Sequence, residues 1–321
     1  MKQLTKAIAA MVLLCILPQS ALAVELLIPV GKVIGLELGD DRVTVAAFDD
    51  ALGADARKAG LKIGDEIVKV AGEEVDSAED IRLALTRCRE QVELTVSRDG
   101  KLHSVRFSPK TTGDGPKLGV YLREGTAGIG TVTYYDPETG CFGALGHGVS
   151  DARGGLLEMH RGTAYEGRIL SVKKGVAGEP GQLRGGAEKV QPLGQLNRNT
   201  PQGVFGTTKQ GWLGQPLPVA AFEDVTAGPA TIRSTVTGDT VREYSVEILK
   251  VYPKNRMDNR NFLLKVTDPA LLETTGGIVQ GMSGSPIIQN GKLVGAVTHV
   301  LVNDPTMGYG IVIENMLDAA A

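Results

Sequence analysis

The stretch GMSGSPIIQNGKLVGAVTHV, residues 281–300, places two short apolar, β-branched runs on either side of Asn290-Gly291. A two-residue Asn-Gly loop joins antiparallel strands, because both positions accept positive φ and the turn matches the strand twist. A related signal stands at Asp99-Gly100 inside VELTVSRDGKLHSVRF (92–107). Another stands at Gly238-Asp239 inside ATIRSTVTGDTVREYSVEIL (230–249). Such punctuation, with 42 glycines and only 4% aromatic residues, points to a mainly β protein. Dense short strands with glycine turns suit closed sheets, most simply two β-barrels with a site between them. The formal net charge of -3 supplies no basic field for nucleic acid, and 321 residues suffice for two domains with their own cores.

The N-terminus reads MKQLTKAIAAMVLLCILPQSALAVE. Lys2 and Lys6 precede an apolar run that Pro18 stops short of a bilayer span, and Ala21-Leu22-Ala23 matches a small-x-small cleavage site. Residues 1–23 therefore read as an export signal, or as a retained signal anchor. Cys15 follows two leucines, which does not suit lipid attachment. Cys88 and Cys141 fall in different expected domains and read as two unpaired, buried thiols.

Glycines flank the serine of GMSGSP, so the backbone can take angles that converge amide N–H groups beside the Ser283 hydroxyl. Such a hydroxyl needs a base to act as a nucleophile. The chain has four histidines. His103 lies in a strand of the first domain, His160 lacks flanking glycines, and His299 suits the shaping of a pocket. His147, between two glycines in FGALGHGVSD (142–151), is the candidate base. Ser285 lacks the Gly-x-Ser-Gly setting of Ser283. For an acid, Asp151, Asp268 and Asp304 all remain open on the residues alone. No metal or cofactor is expected.

Residues 30–110 carry a second organisation. Ser77 opens SAEDIRLALTRC with Asp80 three residues on, a capping-box-like start, and Ile81, Leu85 and Cys88 follow at helical spacing. Ahead of it, KAGLKIGDEIVKVAGEEV (58–75) resembles the core of a PDZ domain, whose helix lines a peptide groove. On that resemblance VIGLEL (33–38) is the carboxylate-binding loop, with Ile34, Gly35 and Leu36 offering backbone N–H groups to a peptide tail. The same three residues also read as an ordinary strand start. GDGPKLG marks a linker over 111–118, and 119–321 is the remaining domain. GVAGEPGQLRGGAEK (175–189) reads as a mobile loop.

The serine turn, its hairpin and the following G-x-V strand resemble the chymotrypsin-like serine peptidases. More closely, TAGIGTVTYYDPETGCFGALGHGVSD (126–151) and TGGIVQGMSGSPIIQNGKLVGAVTHVLVNDPTMGYGIVIENML (275–317) are similar to the SpoIVB peptidases of endospore-forming bacteria, as is the order of export signal, PDZ domain and peptidase. The resemblance implies a PDZ domain followed by a chymotrypsin-like double β-barrel. It implies a triad of His147, Asp268 and Ser283, and an oxyanion hole from the amides of Gly281 and Ser283. Asp268 also reads as an N-cap before Pro269. By the same mapping Gly277–Gln280, Thr298–Val300 and Gly308–Gly310 line a primary pocket without an acid.

In function, the resemblance implies a sporulation signalling protease. It would be exported across the forespore inner membrane into the intermembrane space and would cut itself near its N-terminus. Its partners would be peptide tails on the PDZ domain and a membrane-bound regulator of an intramembrane protease that processes a sigma-factor precursor. An HtrA-like quality-control protease shares the chemistry but carries its PDZ domains after the peptidase. A PDZ adaptor with a dead peptidase domain is the non-enzymatic alternative.

Overall fold

The computed structural model describes residues 25–88, 90–151 and 154–321; the expected export segment lies outside them. Two closed six-stranded barrels form the body. The first runs in a ring through Val33–Phe48, Val120–Tyr135, Cys141–Ala144, Gly203–Thr207, Gln182–Thr200 and Arg161–Lys173, which returns to the first strand. The second joins Gly228–Thr237, Thr240–Val251, Phe262–Val266, Asp304–Val312, Lys292–Leu301 and Pro286–Gln289. The turns expected at Asn290-Gly291 and Asp99-Gly100 are present, with φ of 51° and 72° in one and 50° and 73° in the other. Gly238-Asp239 joins Gly228–Thr237 to Thr240–Val251. Strand alternation fills the second barrel with Ile232, Val246, Leu264, Ile287 and Val297.

The PDZ-like unit is not strung ahead of the barrels but grows out of the first. Val33–Phe48 and Val120–Tyr135 are each 16 residues long and serve both bodies. Residues 33–38 pair with 126–131 inside the barrel, the register shifts between Leu38 and Val43, and 43–48 then pair with 120–124 in the outer unit. Gly125 permits the crossing. Its φ is +76°, and a Cβ there would lie 1.9 Å from the Leu38 carbonyl oxygen, so a side chain at this point would break the close approach. Strands Glu66–Val70, Val92–Arg98 and Lys101–Phe107 extend the outer sheet. Helix Ala78–Thr86, capped by Ser77 accepting from the Asp80 amide, buries Ile81 and Leu85 against Val43, Val45, Ile67 and Leu94.

Several expectations change here. Ile34, Gly35 and Leu36 are not a loop. They pair with Gly128–Gly130 on one edge and with Ala164–Glu166 on the other, so the strand start won over the binding loop. The expected linker 111–118 holds a small hairpin, Lys110–Thr112 with Gly115–Lys117, and the unit is completed only by strand residues 120–124. The segment 175–189 is held rather than loose, since most of it belongs to Gln182–Thr200. Cys88 and Cys141 are both free thiols, but neither is fully buried: Cys88 is half-buried and Cys141 exposed.

Candidate active site

His147 and Ser283 meet across one cleft of about 620 Å³ between the barrels. His147 follows Cys141–Ala144 of the first barrel on a backbone forced into the left-handed region, with φ of 70° at Leu145 and 68° at Gly146. The loop is anchored on two sides. Asn199 accepts from the Val149 amide at 2.9 Å and donates to the carbonyls of Val149 and Leu157. Beyond it Asp151 accepts from Arg42 at 3.2 Å and from the Gly155 amide at 3.1 Å. Ser283 stands in the turn before Pro286–Gln289 of the second barrel, between Gly281 and Gly284 at φ of 100° and 95°.

His147 Nδ1 lies 2.9 Å from the Gly148 carbonyl oxygen. A carbonyl only accepts, so Nδ1 carries the proton and Nε2 is left as the basic nitrogen, the tautomer that a serine nucleophile requires. Ser283 Oγ donates at 2.7 Å to the Thr298 carbonyl, and the hydroxyl must turn from it to reach the base. Such bonds often form only with substrate in place. Among the described residues, no hydrogen bond within the protein engages the Gly281 or Ser283 amide. Both residues line the cleft, so two donors remain for an oxyanion.

Thr131, fully buried in Val120–Tyr135, joins the two halves of the site. Its carbonyl accepts from the Leu145 amide at 3.1 Å, and its own amide donates to the Ser283 carbonyl at 3.2 Å. Its hydroxyl donates to the Gly281 carbonyl at 2.9 Å. Composition gave no sign of this role; the residue reads as one more β-branched strand position.

His299 stacks at a tilt on His147, ring centroids 5.5 Å apart, and its Nδ1 is buried without a hydrogen bond. Burial, then the neighbouring His147 and Arg260, push His299 down to about 4 against an opposing pull from Asp258. Its ring is therefore neutral near pH 7. Ser285 is fully buried and donates to the Ser234 hydroxyl at 3.0 Å. Ile278–Gln280 and Thr298–Val300 line the cleft with Leu36, Leu38 and Ile129, whereas Gly277 and Gly308–Gly310 do not. None of the lining residues is acidic.

Asp268 is not brought to this cleft. It is the N-cap of helix Pro269–Thr275, where Oδ1 accepts from the amides of Ala270 and Leu271, both at 3.0 Å. Its Oδ2 accepts from the Ser245 amide at 3.3 Å. The carboxylate is occupied in ending one helix, and the position that a triad acid holds at His147 Nδ1 is taken by the Gly148 carbonyl.

The outer unit carries a second groove, of about 460 Å³, between helix Ala78–Thr86 and strand residues 120–122. One edge of 120–124 pairs with 43–48; the other has no strand partner among the described residues. Ile81, Leu85, Leu118 and Leu122 form apolar walls, Gly119 has φ of +72°, and Arg82 and Lys117 sit at the rim. An extended peptide can add there as a strand. The signal that could have found it is LGV at 118–120, a glycine between apolar residues just before a strand.

Comparison with known proteins agrees with both bodies. The SpoIVB peptidase S55 family matches residues 114–317, and the PDZ domain family matches residues 34–108. Among solved structures, the chain is similar to the Rv3671c protease of M. tuberculosis in its active form, at 13% identity and a TM-score of 0.38. That match covers 61% of this chain and 73% of the other. The inactive form of the Rv3671c protease gives 14% identity and a TM-score of 0.34, covering 61% and 85%. No curated protein matches the chain.

Proposed function

The chain belongs to the SpoIVB peptidase S55 family, and from that premise we propose that it is an exported sporulation signalling protease whose serine peptidase chemistry runs on His147 and Ser283. The observation that carries the reading is the pairing of a histidine in the basic-Nε2 tautomer with a glycine-flanked serine on opposite walls of one cleft.

In the reaction, the substrate carbonyl enters beside Ser283 and the hydroxyl passes its proton to His147 Nε2 as Oγ attacks. The Gly281 and Ser283 amides bind the oxyanion that develops. The Gly148 carbonyl, bonded to Nδ1–H, holds the ring and faces the imidazolium. His147 then protonates the leaving amine, and a water deprotonated by the same nitrogen releases the acyl-enzyme. The groove along 118–122 holds a peptide tail while the cleft cuts elsewhere, so binding energy from the remote contact supports catalysis on a poor local sequence. The substrate of this reading is a membrane-bound regulator of an intramembrane protease, met in the space between the forespore membranes, and the enzyme also trims its own N-terminal segment.

The test replaces the native gene with Ser283→Ala in the sporulating host. The sigma-factor precursor should accumulate unprocessed and the N-terminal segment should stay uncut. Processing on schedule in that strain would sink the signalling role. Failure of purified wild-type chain to react at Ser283 with a fluorophosphonate would sink the chemistry.

A further inference from the structure

The hairpin Arg161–Lys173 with Gln182–Thr200 belongs to the first barrel, yet its tip reaches over to the second. Gly175 N donates to the Thr275 carbonyl at 2.8 Å and Gly178 N to the Val302 carbonyl at 2.9 Å. Past the tip, Gln280 is gripped on both sides: its amide donates to the Gly181 carbonyl at 3.0 Å, and its carbonyl accepts from the Leu183 amide at 2.8 Å. Leu183 itself is buried, and a Cβ on Gly281 would come within 3.0 Å of its Cβ.

The bond from Leu183 fixes more than Gln280. The carbonyl of Gln280 and the amide of Gly281 belong to one planar trans peptide unit and point in opposite directions. With the carbonyl held toward Leu183, the Gly281 N–H is directed away from the strap, toward the cleft that Gly281 lines. Rotation of this one peptide would carry the donor out of the oxyanion position. Gly281 at φ of +100° has no side chain to resist that rotation, so something outside the turn must hold it.

We infer that the strap Gly181–Leu183 is a positioning element for catalysis: it locks the 280–281 peptide with the oxyanion donor facing substrate. The inference rests on the reading of Ser283 and His147 as the peptidase site. It accounts for a long hairpin tip on the first barrel that spans the cleft wall, and it makes oxyanion stabilisation depend on the docking of one barrel's hairpin on the other. Loss of an oxyanion donor costs about 10²–10³ in rate while leaving ground-state binding nearly untouched.

The experiment measures inactivation of the full chain by a fluorophosphonate, in which Ser283 Oγ bonds phosphorus, fluoride leaves and His147 takes the proton. Leu183→Pro removes the single amide that grips Gln280; Leu183→Val keeps it. The maximal inactivation rate of the proline variant should fall at least about tenfold with its half-saturation unchanged, while the valine variant stays within about threefold of wild type. A second variant replaces residues 174–181 by Asn-Gly between Lys173 and Gln182, which already face each other across the ladder. It deletes the Gly175 and Gly178 amides that dock the tip on Thr275 and Val302 while keeping a closable hairpin, and with the strap undocked it should slow in the same way. Wild-type rates in the hairpin variant, or in a folded proline variant, overturn the lock. A shift confined to half-saturation does so too. No labelling of Ser283 in the wild-type chain overturns the peptidase reading itself, and the lock with it.

Discussion

Replacing Asp268 by asparagine separates a helix cap from a catalytic acid. As a cap, Asp268 offers one oxygen to two amides, Ala270 and Leu271, and the asparagine carbonyl can accept both bonds, losing only the exposed 3.3 Å bond from the Ser245 amide to Oδ2. Asn and Asp are near-equal at this position, so Asp268→Asn should cost a few tenths of a kcal/mol. Asp268→Ala removes the acceptor and should cost about 1 kcal/mol, or roughly 1–2 °C in Tm for a chain of this size. Helix Pro269–Thr275 leads into the wall of the cleft, and Thr275 Oγ1 bonds the Gly277 carbonyl at 2.5 Å. Fraying in the alanine variant should therefore slow turnover a few-fold. A triad acid behaves differently. Its change to asparagine leaves the fold intact but holds the imidazole in the wrong tautomer, with a loss of about 10⁴. The assay pairs a thermal melt with fluorophosphonate reactivity of both variants. Near-normal reactivity in Asp268→Asn, with a small Tm loss in Asp268→Ala, is the expected outcome. A 10⁴-fold loss in Asp268→Asn at unchanged Tm would refute the cap and return the residue to the site.

Ser283→Ala should abolish peptide hydrolysis without lowering Tm, whereas Ser285→Ala should keep turnover and lose about 1–2 kcal/mol, because it strands the buried Ser234 hydroxyl; the opposite pattern in a hydrolysis assay would exchange their roles. His299 sits at about 4 in the folded chain against 6.5 unfolded, so the native state resists its protonation, and stability is full above 6.5 and falls as pH drops toward 4. Discounted for the partly exposed ring, that is about 1–2 kcal/mol, and His299→Phe should flatten this slope in denaturant melts between pH 7 and 4; an unchanged slope counts against it. The cleft lining holds no acid, so profiling a peptide library with the full chain should show uncharged, mainly apolar side chains before the cut; exclusive cleavage after Arg or Lys would overturn the pocket.

What the sequence could and could not reveal follows from the range of each interaction. The hairpins at Asp99-Gly100 and Asn290-Gly291 were readable because turn geometry is set by two adjacent residues. His147 and Ser283, which the structure brings to one cleft, could be singled out as candidates because each sits among glycines, which report unusual backbone angles locally. Ile34-Gly35-Leu36 was misread as a loop because nothing within the segment records a strand paired on both edges. Its partners, Gly128–Gly130 and Ala164–Glu166, lie about a hundred residues away. The sharing of two strands between barrel and outer unit was hidden for the same reason, since it leaves no change of composition where one body ends and the other begins. Asp268 shows the converse. A carboxylate before a proline and an apolar turn has the local signature of a cap, and family likeness put a catalytic role over it. The carboxylate's three hydrogen bonds, to Ala270, Leu271 and Ser245, are two local and one long-range. The two local ones alone would have supported the cap. The triad reading required a contact with His147 that lies 121 residues back along the chain, and no local pattern encodes such a contact.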